Sequence, residues 1–131
     1  MSLEKIPAKL LYIGDEGYVT NILTKALGRL AQTVFCANDI DTGYIIFLLA
    51  KPEVIVTNIK IHLDDNIKIT EKIKNIDPYT KTLWICDQAE CNPKHDNIDI
   101  IIPEPLDIEN LIDTVHCMCL RPHLALTRCL P

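Results

Sequence analysis

Apolar positions along this chain alternate between short unbroken runs and stretches of helical spacing. Lys9 to Ile13 (KLLYI) has the length of a buried strand and is closed by Gly14-Asp15-Glu16-Gly17, an acidic loop. From Tyr18, apolar residues fall at Val19, Ile22, Leu23, Ala26, Leu27 and Leu30, which predicts a helix. Thr33 to Cys36 (TVFC) is the next strand, and Asn38 or Asp39 can cap a helix carrying Ile40, Ile46, Phe47 and Leu49. Pro52 stops that helix, and the β-branched run Glu53 to Ile59 (EVIVTNI) predicts a third strand. Asp64 or Asp65 opens a helix through Ile67, Ile69, Ile73 and Ile76, stopped at Asp77-Pro78. Thr82 to Cys86 (TLWIC) and Ile98 to Ile102 (IDIII) are the fourth and fifth strands. Asp107 then starts a last helix with Ile108, Leu111, Ile112 and Val115. Strands alternating with helices imply an α/β domain with a parallel sheet covered on both faces.

The pattern breaks once. Asp87 to Asn97 (DQAECNPKHDN) offers turn formers where a helix is due, so a loop or one short turn is expected there. The 131 residues suffice for one domain, 1–131, with a core over about 9–118 and a short Pro-bounded tail over 119–131. A chain that is 48% hydrophobic is too apolar to be disordered, and its net charge of −5 argues against a nucleic-acid-binding surface. No apolar run reaches the ~18 residues of a membrane span, and the first residues lack a signal-peptide core. A cytoplasmic protein is expected, with its six Cys as reduced thiols.

Three stretches carry a resemblance. LYIGDE (Leu11 to Glu16) looks like an apolar strand ending in paired acids. KPEVIVTNIKI (Lys51 to Ile61), followed by HLDDN, looks like a segment leading to a phosphoacceptor. IIIPEPLDIENLI (Ile100 to Ile112) looks like a Lys-Pro element before a last helix. In this order and spacing they resemble the receiver domain of two-component response regulators. The resemblance covers roughly Lys9 to Met118. It implies a flavodoxin-like (βα)5 three-layer sandwich with a parallel five-stranded sheet in the order 2-1-3-4-5, here with the fourth helix short or missing.

In that family an Asp after strand three accepts a phosphoryl group, two acids after strand one hold Mg²⁺, and a Ser or Thr and a Lys bind the acyl phosphate. Carried over by resemblance, the first acidic position falls on Gly14 and the second on Asp15, with Glu16 next. The phosphoacceptor position falls on Asn58, whose amide cannot form an acyl phosphate. The hydroxyl position falls on Cys86, a poorer donor, and the Lys position on Glu104, which repels phosphate. Pro105 remains, and the resemblance implies a cis Glu104–Pro105 bond. The aromatic switch position falls on Ile101. The sequence therefore reads as a degenerate pseudo-receiver, not an enzyme, acting as a phosphorylation-independent interaction module in two-component or phosphorelay signalling. Its expected partners are proteins: a histidine kinase, an output domain, another regulator or a second copy, with no nucleic acid and no membrane.

The alternative is a metal-ion or small-ligand sensor in the acidic pocket of Asp15, Glu16, Asn58 and Glu104. Mg²⁺ would take Asp15, Glu16 and Asn58, with the Lys60 carbonyl as a further oxygen. A flavin enzyme is disfavoured because the loop after strand one is acidic where an anion must sit. Nearby carboxylates should suppress a Cys86 thiolate. His116, Cys117, Cys119, His123 and Cys129, and Cys91 with His95, match zinc spacing only weakly. Lys68, Lys72 and Lys74 read as a solvated helix face. In typical receivers the fourth helix, fifth strand and fifth helix form the docking face. With that helix in doubt, contacts through the first or last helix are expected instead.

Overall fold

A computed structural model describes residues 5–58, 63–86, 98–104 and 106–120, the side chains of Leu63, Asp64 and Leu120 excepted. Five strands, β1 (Ile6–Gly14), β2 (Ala31–Ala37), β3 (Val54–Asn58), β4 (Lys81–Cys86) and β5 (Ile100–Pro103), alternate with α1 (Tyr18–Leu30), α2 (Ile40–Ala50), α3 (Leu63–Ile76) and α4 (Ile108–Leu120). Every strand pairing is parallel and the order is β2-β1-β3-β4-β5. This is the flavodoxin-like arrangement that the resemblance implied. Residues 87–97 and Pro105 fall outside the described residues, and with them the expected short or missing helix and the cis Glu104–Pro105 bond. The helix α4 continues through Cys119 and Leu120, and 121–131 also lie outside the described residues.

Alternation along the strands builds the layers. On one face Leu10, Tyr12, Val54, Val56, Leu83 and Ile85 pack against Leu23 and Leu27 of α1 and Leu111, Val115 and Met118 of α4. On the other, Leu11, Ile13 and Ile55 meet Phe47 of α2 and Ile73 of α3. Both faces of β1 and β3 are therefore buried, as parallel strands require. Trp84, Cys86 and Ile98 form a separate small cluster, with Ile101 against it.

Local signals set the element ends. Gly17 (φ 141°, ψ −166°) sits at the N-cap of α1 in backbone space open essentially to glycine alone. The α2 cap is Asp39, which accepts from the Thr42 backbone N–H (2.7 Å) and hydroxyl (3.0 Å). Lys51, in the left-handed region, closes α2 before Pro52. Asp107 accepts from the N–H groups of Glu109 and Asn110 at the head of α4. Lys74 departs from the solvated face expected of it. Its Nζ reaches the Thr80 carbonyl and Asp99 Oδ2, each at 2.6 Å, and Asp99 Oδ2 also accepts from Thr82 N–H at 2.8 Å. A half-buried ion pair thus ties α3 to the turn before β5. Lys72 is exposed as expected, with its Nζ 5.8 Å from the centre of the Tyr44 ring.

Hydrogen bonds from the Thr42 backbone and hydroxyl hold the Asp39 carboxyl below the usual carboxylate range. A group with a lowered folded pKa stabilises the fold above its unfolded value, and that contribution is lost as pH falls through the folded value. Asp39→Ala is expected to melt below the wild type at neutral pH, with the two melting curves converging on acidification. A gap that persists unchanged at acid pH would contradict this role.

Candidate functional site

The C-terminal ends of the strands gather the positions expected of the site. Gly14 is the register partner of Asn58, and Cys86 that of Pro103. Glu104 follows β5, with its backbone N–H on the Cys86 carbonyl at 2.9 Å. Asp15 and Glu16 begin the exposed loop after β1. Asn38 Nδ2 donates to the Gly14 carbonyl at 3.0 Å, and the Thr20 hydroxyl donates to the Asp15 carbonyl, so that loop is tied to β2 and α1.

The residue that organises this site is Tyr12, which the apolar pattern marks only as core. Tyr12 and Gly14 lie two apart on β1, so their side-chain directions share one face. The Tyr12 ring is buried and runs beneath Gly14 toward the strand ends. A Cβ at Gly14 would sit 2.4 Å from Tyr12 Cε2, closer than any real contact. At the far end of the ring, Asn58 Nδ2 donates to Tyr12 Oη at 3.0 Å. Burial pushes the Tyr12 hydroxyl above its ordinary pKa, partly offset by its hydrogen bonds with Asn58 and Thr20. It is therefore a neutral phenol at physiological pH.

These contacts link departures that the sequence presented separately. Gly14 lacks an acid, and the ring beneath it leaves no room for one. Asn58 cannot be a phosphoacceptor, and its amide is engaged by the same ring. The hydroxyl position is equally changed. Cys86 is 2% exposed and disulfide-bonded, so it has no S–H to donate. This corrects the expectation of six reduced thiols. Sequence spacing does not reveal which Cα atoms approach closely enough to bridge. Cys36 and Cys119 carry free thiols, both with pKa raised by burial, Cys119 to about 11. Glu104 is exposed at the end of β5, a carboxylate where a phosphate-binding cation would be needed.

The resemblance implies Mg²⁺, and the described donor set fits it poorly. Among the described residues no three His, Cys, Asp or Glu side chains come together as a metal site. Asp15 and Glu16 supply exposed carboxylates, and Asn58, whose Nδ2 donates to the Tyr12 hydroxyl, could add only its neutral Oδ1. The zinc-like set divides: Cys117 and Cys119 are half-buried on α4, whereas Cys91, His95, His123 and Cys129 lie outside the described residues. No helix among the described residues is long and apolar enough to cross a membrane.

No protein-family model matches the chain, and no curated protein matches it. Solved structures do. A LuxR-family two-component response regulator from Aurantimonas sp. SI85-9A1 superposes with a TM-score of 0.73 at 15% identity, over 89% of this chain and 89% of that one. The chemotaxis protein CheY4 of Vibrio cholerae gives 0.69 at 17% identity, over 84% and 97%. The BeF₃-activated DrrB receiver domain gives 0.70 at 18%, over 88% and 100%. At such identities the likeness is one of fold. The chain has the receiver fold of response regulators.

The contact between Tyr12 and Gly14 can be measured as a coupling. Gly14→Ala in the wild type is expected to cost about 1–3 kcal/mol from overpacking. In a Tyr12→Val background, where the ring is gone, the same change should cost less than about 1 kcal/mol. Urea unfolding of the four proteins provides the comparison, and equal costs in both backgrounds would mean that the ring does not exclude a side chain at Gly14.

Proposed function

We propose that this chain is a receiver-fold signalling module that has lost phosphotransfer and acts through protein–protein contacts. The observation that carries the reading is the Tyr12 ring, packed beneath Gly14 and hydrogen-bonded to Asn58. Acyl phosphate chemistry requires a carboxylate nucleophile, cationic charge for the transferring oxygens and a donor to hold the product. Asn58 replaces the first, Glu104 opposes the second, and Cys86 is committed to a disulfide. What remains is a rigid sheet presenting helices, loops and an acidic rim of Asp15, Glu16 and Glu104.

Receiver domains meet kinases and output domains, so the partner classes for this chain are a histidine kinase, an output domain or another regulator. Binding here would not be gated by phosphorylation. Regulation would come instead from partner abundance or from whatever alters the Tyr12–Asn58 contact.

Incubation with acetyl phosphate and Mg²⁺ should add no phosphoryl mass to the intact protein. An adduct mapped to the loop after β3 would overturn the reading. Mg²⁺ or Mn²⁺ titration should leave Trp84 emission and the melting temperature unchanged. A saturable change in both would favour a metal sensor built on Asp15, Glu16 and Asn58.

A further inference from the structure

A helix that covers one face of a sheet needs one apolar stripe, and α2 carries two. Its inner side is used: Gly43 and Phe47 are buried, and Ile40, Tyr44 and Ile46 pack partly against the same cluster. Its outer side is apolar as well. Ile45 is 55% exposed, Leu48 43% and Leu49 82%, at the i, i+3, i+4 spacing of neighbours on one helix face. Contiguous exposed apolar side chains of this kind mark contact surfaces.

The ends of the helix indicate what would cover the stripe. Asp39 and Asp41 stand at its N-terminus. At its C-terminus are the exposed Lys51 and the ammonium of Lys9, which donates to the Ala50 carbonyl at 3.3 Å. Glu53 is also near this end, with its carboxylate accepting from the Lys9 backbone N–H. The acids at the N-terminus and the two lysines at the C-terminus suit the helix dipole, Glu53 opposing it there. Together they make the outer face self-complementary: acidic at one end, apolar in the middle, basic at the other. Asp41 and Lys51 are separated by about 15 Å of helix, and the midpoint falls within the apolar stripe. A copy of α2 packed antiparallel about that midpoint brings each acid opposite a base, whereas a parallel copy sets like against like.

We propose that α2 is a contact between two copies of this chain. The helices pack antiparallel about a two-fold axis, burying Ile45, Leu48 and Leu49 of both copies and placing Asp41 of each opposite Lys51 of the other. This inference is independent of the lost phosphotransfer. The 11-residue helix is short, and a pair of such helices buries less than the roughly 1,200 Å² of a standard stable interface. The association is therefore weak and concentration-dependent.

Sedimentation velocity from about 10 to about 500 µM covers the range in which such a contact forms. The wild type should shift from monomer toward dimer, and Leu49→Glu, a change at an exposed side chain, should stay monomeric with an unchanged circular dichroism spectrum. Asp41→Lys and Lys51→Asp should each be monomeric alone, because each leaves like charges facing across the axis. Mixed in equal amounts they should dimerise, since the mixture restores both opposite pairs. A wild type that stays monomeric throughout would overturn the proposal and leave the stripe to an unlike partner. So would a Leu49→Glu protein that associates as the wild type does, or a mixture no more associated than its components.

Discussion

The site depends on one side chain. Tyr12 lies in β1, an interior strand paired on both sides, where it is fully buried and its hydroxyl meets Asn58. The same ring forbids a side chain at Gly14. At Gly14 any side chain, acidic or not, would have to displace the buried ring. Tyr12 carries the hydrophobic layer between the sheet and α1 up to the C-terminal ends of the strands.

The charge at the rim follows the same logic. In a phosphorylatable site a Lys and a divalent cation offset the acids. Here Asp15, Glu16 and Glu104 follow the ends of β1 and β5, and all three are exposed; in the reading proposed above Glu104 takes the place of the Lys. Water and salt screen exposed carboxylates of this kind. The negative balance of the chain, −5 overall, is partly concentrated where an incoming phosphate would have to approach.

Much of the fold was legible because both periods were strong. The runs at Leu10–Ile13 and Val54–Val56, the helical spacing from Val19 to Leu30, the Asp39 cap and the stop at Pro52 all mark elements that the structure contains. Boundaries moved by a few residues, as at β1, which begins at Ile6, because strand pairing rather than composition sets the ends. The positions of Gly14, Asn58, Cys86 and Glu104 at the strand ends followed from the resemblance. Tyr12 did not, because a tyrosine in an apolar run reads as core. Only its pairing with a glycine two residues on, on the same face of the strand, hints that its ring needs the space. Disulfide bonding at Cys86 and the Lys74–Asp99 ion pair were equally hidden, since each depends on distances across the fold that spacing along the chain does not encode.

If Tyr12, Cys86 and Glu104 close the site along with Asn58, then replacing Asn58 with Asp alone does not reopen it. Fluorine NMR of Asn58→Asp with beryllofluoride and Mg²⁺ tests this directly, because the probe binds only where a carboxylate, a metal site and a phosphate-binding pocket coexist. The account predicts no bound fluorine signal at any Mg²⁺ concentration, with the variant still folded. A bound signal that saturates with Mg²⁺ would contradict it and leave the amide at Asn58 as the single obstacle to phosphate chemistry.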